Sequence, residues 1–151
     1  MDVNQFKEIA GKYKAYKKEI YEINQQIEML EYLLCGVAGI RYDKEVTQGS
    51  GNTETDAKRI SIISKIDQLK ADKHKYQSLI NQITEIILAT NNEVKIYLVE
   101  YYLQDKGMSE IARESNKTYW YVRRTIEKEL KRVLEGKNGN QSERAGSNRN
   151  E

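Results

Sequence analysis

Apolar residues recur in alternating steps of three and four along the first 35 residues, without a break. This spacing puts all of them on one side of a helix, which is the seam where helices of a left-handed coiled coil meet. The residues between them are mostly Lys, Glu and Gln, which suit water-facing sides. The pattern predicts one helix from about Asn4 to Cys35, with these seam residues: Phe6, Ile9, Tyr13, Tyr16, Ile20, Ile23, Ile27, Leu30 and Leu34.

The three-four spacing returns in a second segment after an interruption. Gly36 is expected to end the first helix, and residues 37–56 lose the spacing and include a Gly-Ser-Gly run at 49–51, which is typical of a loop. Two helices of matched length joined by one loop favour an antiparallel hairpin over residues 1–90. The second seam consists of Ile62, Ile66, Leu69, Lys73, Tyr76, Ile80, Ile83 and Ile87.

The hairpin leaves a second apolar edge outside its seam. We expect this edge to pack against another copy of the chain, and the alternative is that it packs against the C-terminal residues of the same chain. Its members are Tyr21, Leu33, Ile60, Ile63, Leu79 and Ile86.

The composition favours an all-α fold with a small core. The 151 residues include no Pro, 32% are charged and the mean hydropathy is −0.80, values typical of extended helices with one buried stripe. The single Cys35 excludes an internal disulfide and fits a reducing compartment. No N-terminal signal and no apolar run of about 18 residues is present, so neither secretion nor a membrane span is expected. These features predict a cytoplasmic protein.

Three shorter helices are predicted after the turn residues Asn91 and Asn92. The first covers about residues 93–104, the second begins after Asp105 as its cap and ends near Ser115, and the third covers 118–135 until Gly136. Residues 91–135 should therefore form a three-helix unit. Residues 136–151 are rich in Gly, Asn, Ser, Arg and Glu, and we expect a disordered tail.

The last two of these helices have the pattern of a helix-turn-helix, in which the second helix enters the DNA major groove. Ala112 must be small where the two helices cross closely. Asn116 tolerates the left-handed backbone of the turn, and the hydroxyl of Thr118 can cap the next helix. Two pairs of apolar residues should face the core: Ile111 with Ala112, and Val122 with Ile126.

Basic and aromatic residues occupy the opposite side of the last helix. Residues 117–132 carry six Lys or Arg and two Glu, within a chain whose net charge is only +2. Local positive charge of this kind attracts DNA phosphates. The alternative interpretation is that these charges only keep an exposed helix face solvated. The candidate DNA-binding residues are Lys117, Thr118, Trp120, Tyr121, Arg123, Arg124, Lys128 and Lys131.

Roles for these residues follow from their chemistry. The planar guanidinium groups of Arg123 and Arg124 match the guanine edge, and Trp120 and Tyr121 suit thymine methyls or the sugar-phosphate wall. The hydroxyl of Thr118 can donate to a phosphate at the helix start. The three lysines are expected to anchor phosphates, which positions the protein without reading the sequence.

Residues that carry other chemistries are few. His74 is the only histidine and Cys35 the only cysteine, so one chain cannot assemble a metal site of the ordinary ligand types. No glycine-rich phosphate loop, nucleophile–base pair or paired carboxylates stand out. We therefore expect no catalytic residues, no cofactor and no enzymatic activity.

The motif resembles region 4 of sigma-70 factors at seven positions: Tyr102, Ile111, Ala112, Asn116, Thr118, Val122 and Ile126. Together with the coiled-coil half, the polar loop and the run Glu100-Tyr101-Tyr102, the chain looks like the phage-encoded ArpU/RinA-type late transcription regulators. The resemblance covers residues 1–135 in arrangement and 93–135 by motif. It implies activation of phage late genes in a bacterial host through promoter DNA, and leaves contact with host RNA polymerase open.

Two other classes of protein remain compatible with the sequence. A phage terminase small subunit also joins a helical DNA-binding unit to a coiled-coil oligomer, and would form a ring of many chains. A coiled-coil scaffold or adaptor would bind another protein and would have no affinity for DNA at low salt.

Overall fold

Helices make up the regular structure of the part of this chain that is described. The computed structural model describes the backbone of residues 1–43 and 51–147 and the side chains of residues 1–36 and 54–137. The predicted all-α fold class is confirmed, and within the described residues no helix has the length and apolar character needed to cross a membrane. The elements are α1 (Val3–Gly11), α2 (Tyr13–Asp43), α3 (Gly51–Ala89), α4 (Asn92–Leu98), a π-helical segment (Val99–Leu103), α5 (Met108–Glu114) and α6 (Tyr119–Ser147).

The chain groups into two compact units. The two-helix unit comprises Tyr16–Ser78, and the terminal unit comprises Met1–Ala15 together with the chain from Leu79 onward. This grouping differs from the boundary near residue 90 that the sequence predicts, because the first 15 residues and the end of α3 belong with the C-terminal helices. The N-terminus therefore contributes to the same core as the predicted DNA-binding segment.

The two-helix unit is held by residues of the two predicted seams. Ile23 and Ile27 of α2 are buried with Ile66 of α3, and the rings of Tyr16 and Tyr76 lie 5.8 Å apart. Tyr16, early in α2, contacts Tyr76, whereas Ile23 and Ile27, later in α2, contact the earlier residue Ile66 of α3. Contacts in this order are those of antiparallel helices. Further seam residues pack partly against this cluster: Leu30, Ile62 and Leu69.

The core of the terminal unit draws on helices from both ends of the chain. Phe6 of α1 is fully buried and meets the ring of Tyr102 edge-on at 6.0 Å. Burial, with a smaller contribution from Tyr101, raises the pKa of Tyr102 to about 12. The other large side chains that are fully buried in this unit are Ile83, Val94, Leu98, Ile111, Val122 and Leu130.

The first predicted helix is interrupted and also extends further than expected. Asp2 caps α1 through a capping box with Gln5, and Lys12 leaves the helical conformation at φ −96° and ψ 7°. The single helix predicted over Asn4–Cys35 is therefore wrong at Lys12. The heptad spacing continues across this break, so spacing alone does not reveal it.

Neither glycine predicted to end a helix does so. α2 continues through Gly36 to Asp43, and α6 continues through Gly136 to Ser147. The loop predicted over 37–56 is helical at 37–43 and 51–56, with residues 44–50 outside the described part. The tail predicted as disordered over 136–151 is helical from 136 to 147, and residues 148–151 lie outside the described part. A glycine inside a helix costs only about 1 kcal/mol, and the ion pair of Lys137 with Glu85 at 3.3 Å ties this end of α6 to α3.

Asp105 does not cap α5, contrary to the prediction. Its backbone adopts the left-handed region at φ 58°, its carboxylate accepts a hydrogen bond from Lys14, and Gly107 precedes the helix instead. The π-helical segment lies just before this turn, and the N–H of Gln104 donates to the carbonyl of Val99 at 3.1 Å. The extra residue of such a segment shifts the register of the turn, which a 3.6-residue pattern does not indicate.

The apolar edge predicted outside the hairpin seam divides between the two units. Ile86 is buried and Leu79 half-buried in the terminal unit, as in the alternative in which this edge packs within the chain. The four members in the two-helix unit are exposed: Tyr21, Leu33, Ile60 and Ile63.

Replacing Phe6 by Ala should destabilise the terminal unit. Removing a fully buried phenylalanine costs ~3–5 kcal/mol, and denaturant unfolding followed by circular dichroism measures the loss. Leu88→Ala, at a side chain of the same unit that is 62% exposed, is the control and should change stability by less than about 0.5 kcal/mol. Equal effects of the two substitutions would show that α1 is not part of the core.

Candidate nucleic-acid interface

A tight turn joins α5 to α6. Ile111 and Ala112 of α5 are buried, and the N–H of Lys117 donates to the carbonyl of Ala112 at 2.9 Å. Asn116 has φ 56°, so the left-handed conformation predicted for it is confirmed. The left-handed conformation costs Asn less conformational free energy than it costs most residues. The direction of the turn is therefore set by the local sequence.

Thr118 begins α6. Its hydroxyl oxygen accepts a hydrogen bond from the N–H of Tyr121 at 3.1 Å, which satisfies one of the free N–H groups at the helix start. The predicted cap is confirmed. The hydroxyl accepts this bond and keeps its own proton for donation, and the residue itself is exposed.

The inner side of α6 is apolar and buried, as the spacing predicts. Val122, Ile126, Leu130 and Val133 are all buried and recur at three- and four-residue steps. α6 contacts α1, α4 and α5, so three helices hold this side in place. Its rotation about its own axis is fixed by this packing.

The outer side of α6 is exposed, and we call it the cationic face. Trp120 is 65% exposed, and Arg124, Lys128 and Lys131 are paired with no carboxylate among the residues that the structure describes. Free cations on a fixed helix suit a polyanionic partner. The cationic face comprises the eight residues predicted to contact DNA, each of them exposed: Lys117, Thr118, Trp120, Tyr121, Arg123, Arg124, Lys128 and Lys131.

An aromatic cluster occupies the start of this face. The rings of Tyr119 and Trp120 meet edge-on with centroids 5.6 Å apart. The guanidinium of Arg123 lies over the Trp120 ring at 5.9 Å and donates to the Tyr119 hydroxyl at 3.4 Å. Because Arg123 is engaged with these rings, Arg124 is the guanidinium on this face with no partner in the described structure.

Tyr121 is held by an acidic residue that the sequence analysis missed. Its hydroxyl donates to Glu93 Oε1 at 3.0 Å, and the hydroxyl of buried Tyr97 donates to the same oxygen at 2.9 Å. Burial and the nearby Glu93 carboxylate raise the pKa of Tyr97. The ammonium of Lys117 lies 5.0 Å from the centre of the Tyr121 ring. Tyr121 thus links α4 to α6, and its hydroxyl is not free for a ligand.

A second missed carboxylate, Glu129, is buried on the flank of α6 with only 8% of its surface exposed. It accepts hydrogen bonds from the Arg132 guanidinium and from the backbone N–H of Asn91 at 3.0 Å. The bond from Arg132, and secondarily that from Asn91, lowers the pKa of Glu129 against the effect of burial. The spacing of Glu129 and Arg132 is visible in the sequence, but the contact with Asn91 depends on the fold.

A cleft lies beside this carboxylate, between the start of α4 and α6. Its volume is about 880 Å³, and three cationic side chains and two aromatic rings border it. The charge of these three side chains suits an anionic ligand. The cleft is lined by Asn91, Thr118, Trp120, Tyr121, Arg124, Thr125, Lys128, Glu129 and Arg132.

Comparison with known proteins adds no assignment to this geometry. No protein-family model, curated protein or solved structure matches the chain. Among the described residues, no group of three or more His, Cys, Asp or Glu side chains is placed to hold a metal ion.

Replacing Glu129 by Gln should change how stability depends on pH. Because folding lowers the pKa of Glu129 from its ordinary value of 4.5, its contribution is complete above that value and is lost as the pH falls through the lower, folded pKa. The wild type should therefore lose stability more steeply below pH 4.5 than Glu129→Gln, which should already be less stable by about 1–3 kcal/mol at neutral pH.

Thermal unfolding between neutral and acidic pH measures this difference. Glu8→Gln, at an exposed ion pair with Lys12, is the matched control, because such pairs contribute little. Parallel curves for the wild type and Glu129→Gln below pH 4.5 would contradict the role assigned to Glu129.

Proposed function

We propose that this protein is a sequence-specific DNA-binding regulator of transcription that uses α6 as its recognition helix. The observation that carries the proposal is the division of α6 into a buried apolar side and the exposed cationic face. A helix fits the major groove of DNA, where each base pair offers a distinct set of donors and acceptors. The turn at Asn116 and the crossing at Ala112 support a helix-turn-helix interpretation.

Different members of the cationic face would have different tasks. Arg124 lies in the first two turns of α6, the part of a recognition helix that contacts base edges, and its guanidinium has no partner in the described structure. Lys117, Lys128 and Lys131 would bind phosphates and set the register on the duplex. Tyr121, which Glu93 holds, would offer the DNA its ring rather than its hydroxyl.

The biological setting of the proposal comes from the resemblance to ArpU/RinA-type regulators. It suggests control of late genes of a phage in a bacterial host, with activation as the sense of regulation. Host RNA polymerase is a further partner that the resemblance to sigma-70 region 4 suggests. Selection of bound sequences from random DNA, followed by transcription from the enriched site, tests the whole proposal.

Replacing Arg124 by Ala should weaken binding to the selected site by ~1–3 kcal/mol and relax the preference at one base pair. The loss follows from removal of a bidentate contact to a guanine edge. Titration of the selected duplex and of duplexes altered at single positions measures both effects. An unchanged footprint and unchanged preferences would contradict the role of Arg124.

Lys128→Ala is the matched control for Arg124→Ala, because it removes one positive charge from the same face, one turn further along α6. A phosphate contact carries no sequence information, so this variant should weaken binding to all duplexes alike. A change in sequence preference on replacing Lys128 would show that the two roles are assigned wrongly.

We also expect self-association through the exposed apolar side chains of the two-helix unit. Ile60→Glu should lower the mass seen in sedimentation, because Ile60 is 68% exposed and apolar. Leu88→Glu, at a similarly exposed leucine of the terminal unit (62%), should leave the mass unchanged. A wild-type monomer would contradict this expectation, and a ring of many chains would favour a terminase small subunit over a regulator.

A further inference from the structure

Three cations follow one another along the edge of the cleft in α6. Arg124, Lys128 and Arg132 follow one another at intervals of four positions, so they lie on neighbouring turns on one side of the helix. The row extends for about 12 Å at ~1.5 Å per residue. Arg132, at its far end, is not among the residues that the sequence pattern indicated.

Arg132 differs from its two neighbours because a buried carboxylate fixes it. Its Nε donates to Glu129 Oε2 at 3.0 Å, and its Nη2 donates to Oε1. Glu129 is in turn anchored by the backbone N–H of Asn91. The guanidinium plane is therefore held in one orientation by both α6 and the start of α4.

The rest of this guanidinium remains open. The side chain is 64% exposed, and no acceptor among the described residues takes the N–H groups that point away from Glu129. A guanidinium has five N–H groups in a rigid fork, which matches the oxygens of a phosphate. An arginine held in place before binding loses less freedom when a ligand arrives.

We propose that Arg132 binds a backbone phosphate of duplex DNA and that Glu129 positions it for this contact. The inference rests on the proposed DNA-binding function and adds a contact just beyond Lys131, the last residue of the cationic face. Arg132 lies two turns beyond Arg124, past the first turns of the helix that approach base edges. A phosphate contact at this point would set the angle at which α6 enters the groove.

The salt dependence of DNA affinity tests the proposal. The full-length chain would be titrated with the duplex selected from random DNA, at several salt concentrations, as wild type, Arg132→Gln and Arg132→Lys. Gln retains a donor for Glu129 without the charge, and Lys retains the charge without the fork. Lys18→Ala, which removes an exposed charge from the two-helix unit, is the matched control.

Loss of one phosphate contact should reduce the slope of log affinity against log salt by about 0.9. We expect this reduction, with about tenfold weaker binding at low salt, for Arg132→Gln. Arg132→Lys should recover the wild-type slope, and Lys18→Ala should keep it. A purely structural role would lower the melting temperature of both Arg132 variants and leave both slopes at the wild-type value, which overturns the proposal.

A second measurement uses the wild-type fold. A panel of duplexes with the selected sequence would be prepared. Each duplex carries one neutral methylphosphonate in place of a phosphate, at a different position. At one position the replacement should weaken the wild type about tenfold and leave Arg132→Gln unaffected, and the absence of any such position overturns the inference. If the wild type binds the duplex and both Arg132 variants keep the wild-type slope, this inference alone is overturned. If the wild type binds no duplex at low salt, the proposed function is overturned as well.

Discussion

Burial of the inner side of α6 is the constraint on which the rest of the terminal unit depends. Val122 and Leu130 lie fully buried, and α1, α4 and α5 all contact the helix that carries them. Since each buried apolar side chain contributes roughly 1.5–3 kcal/mol, rotating α6 about its axis would expose several of them at once. The exposure of Trp120, Arg124 and Lys128 on the other side is a consequence of this packing.

Two carboxylates join the start of α4 to α6 through hydrogen bonds at two different positions along α6. Glu93 accepts hydrogen bonds from Tyr97 and Tyr121, and Glu129 accepts them from Asn91 and Arg132. The cleft lies between these elements, so the same contacts that join the helices also shape it. Each carboxylate reduces the local positive charge, but each also fixes a side chain that borders the cleft. Rigid placement of donors is what distinguishes a recognition surface from a merely basic one.

Local conformations are predictable from the sequence where a residue's own type and its near neighbours set them. Asn116 adopts the left-handed backbone and Thr118 caps its helix, because both depend on local backbone geometry. The helix ends expected at a glycine, and the helix start expected at an aspartate, are wrong. Gly36 and Gly136 are tolerated within helices. Asp105 adopts the left-handed backbone of the turn that follows the π-helical segment and does not cap α5. Propensities of about 1 kcal/mol are too small to decide such positions against their surroundings.

The all-α class, the two seams of the long helices and the apolar side of α6 can be predicted from the amino-acid order, because they follow from periodicity along one chain. Three further features depend on how the helices pack: Phe6 lies in the core of the terminal unit, α1 breaks at Lys12, and Glu93 and Glu129 reach α6 and the start of α4. Such contacts join residues far apart in sequence, and no local pattern encodes which distant partner a buried ring or carboxylate will meet. They exist only once several helices pack together and exclude water from the space between them.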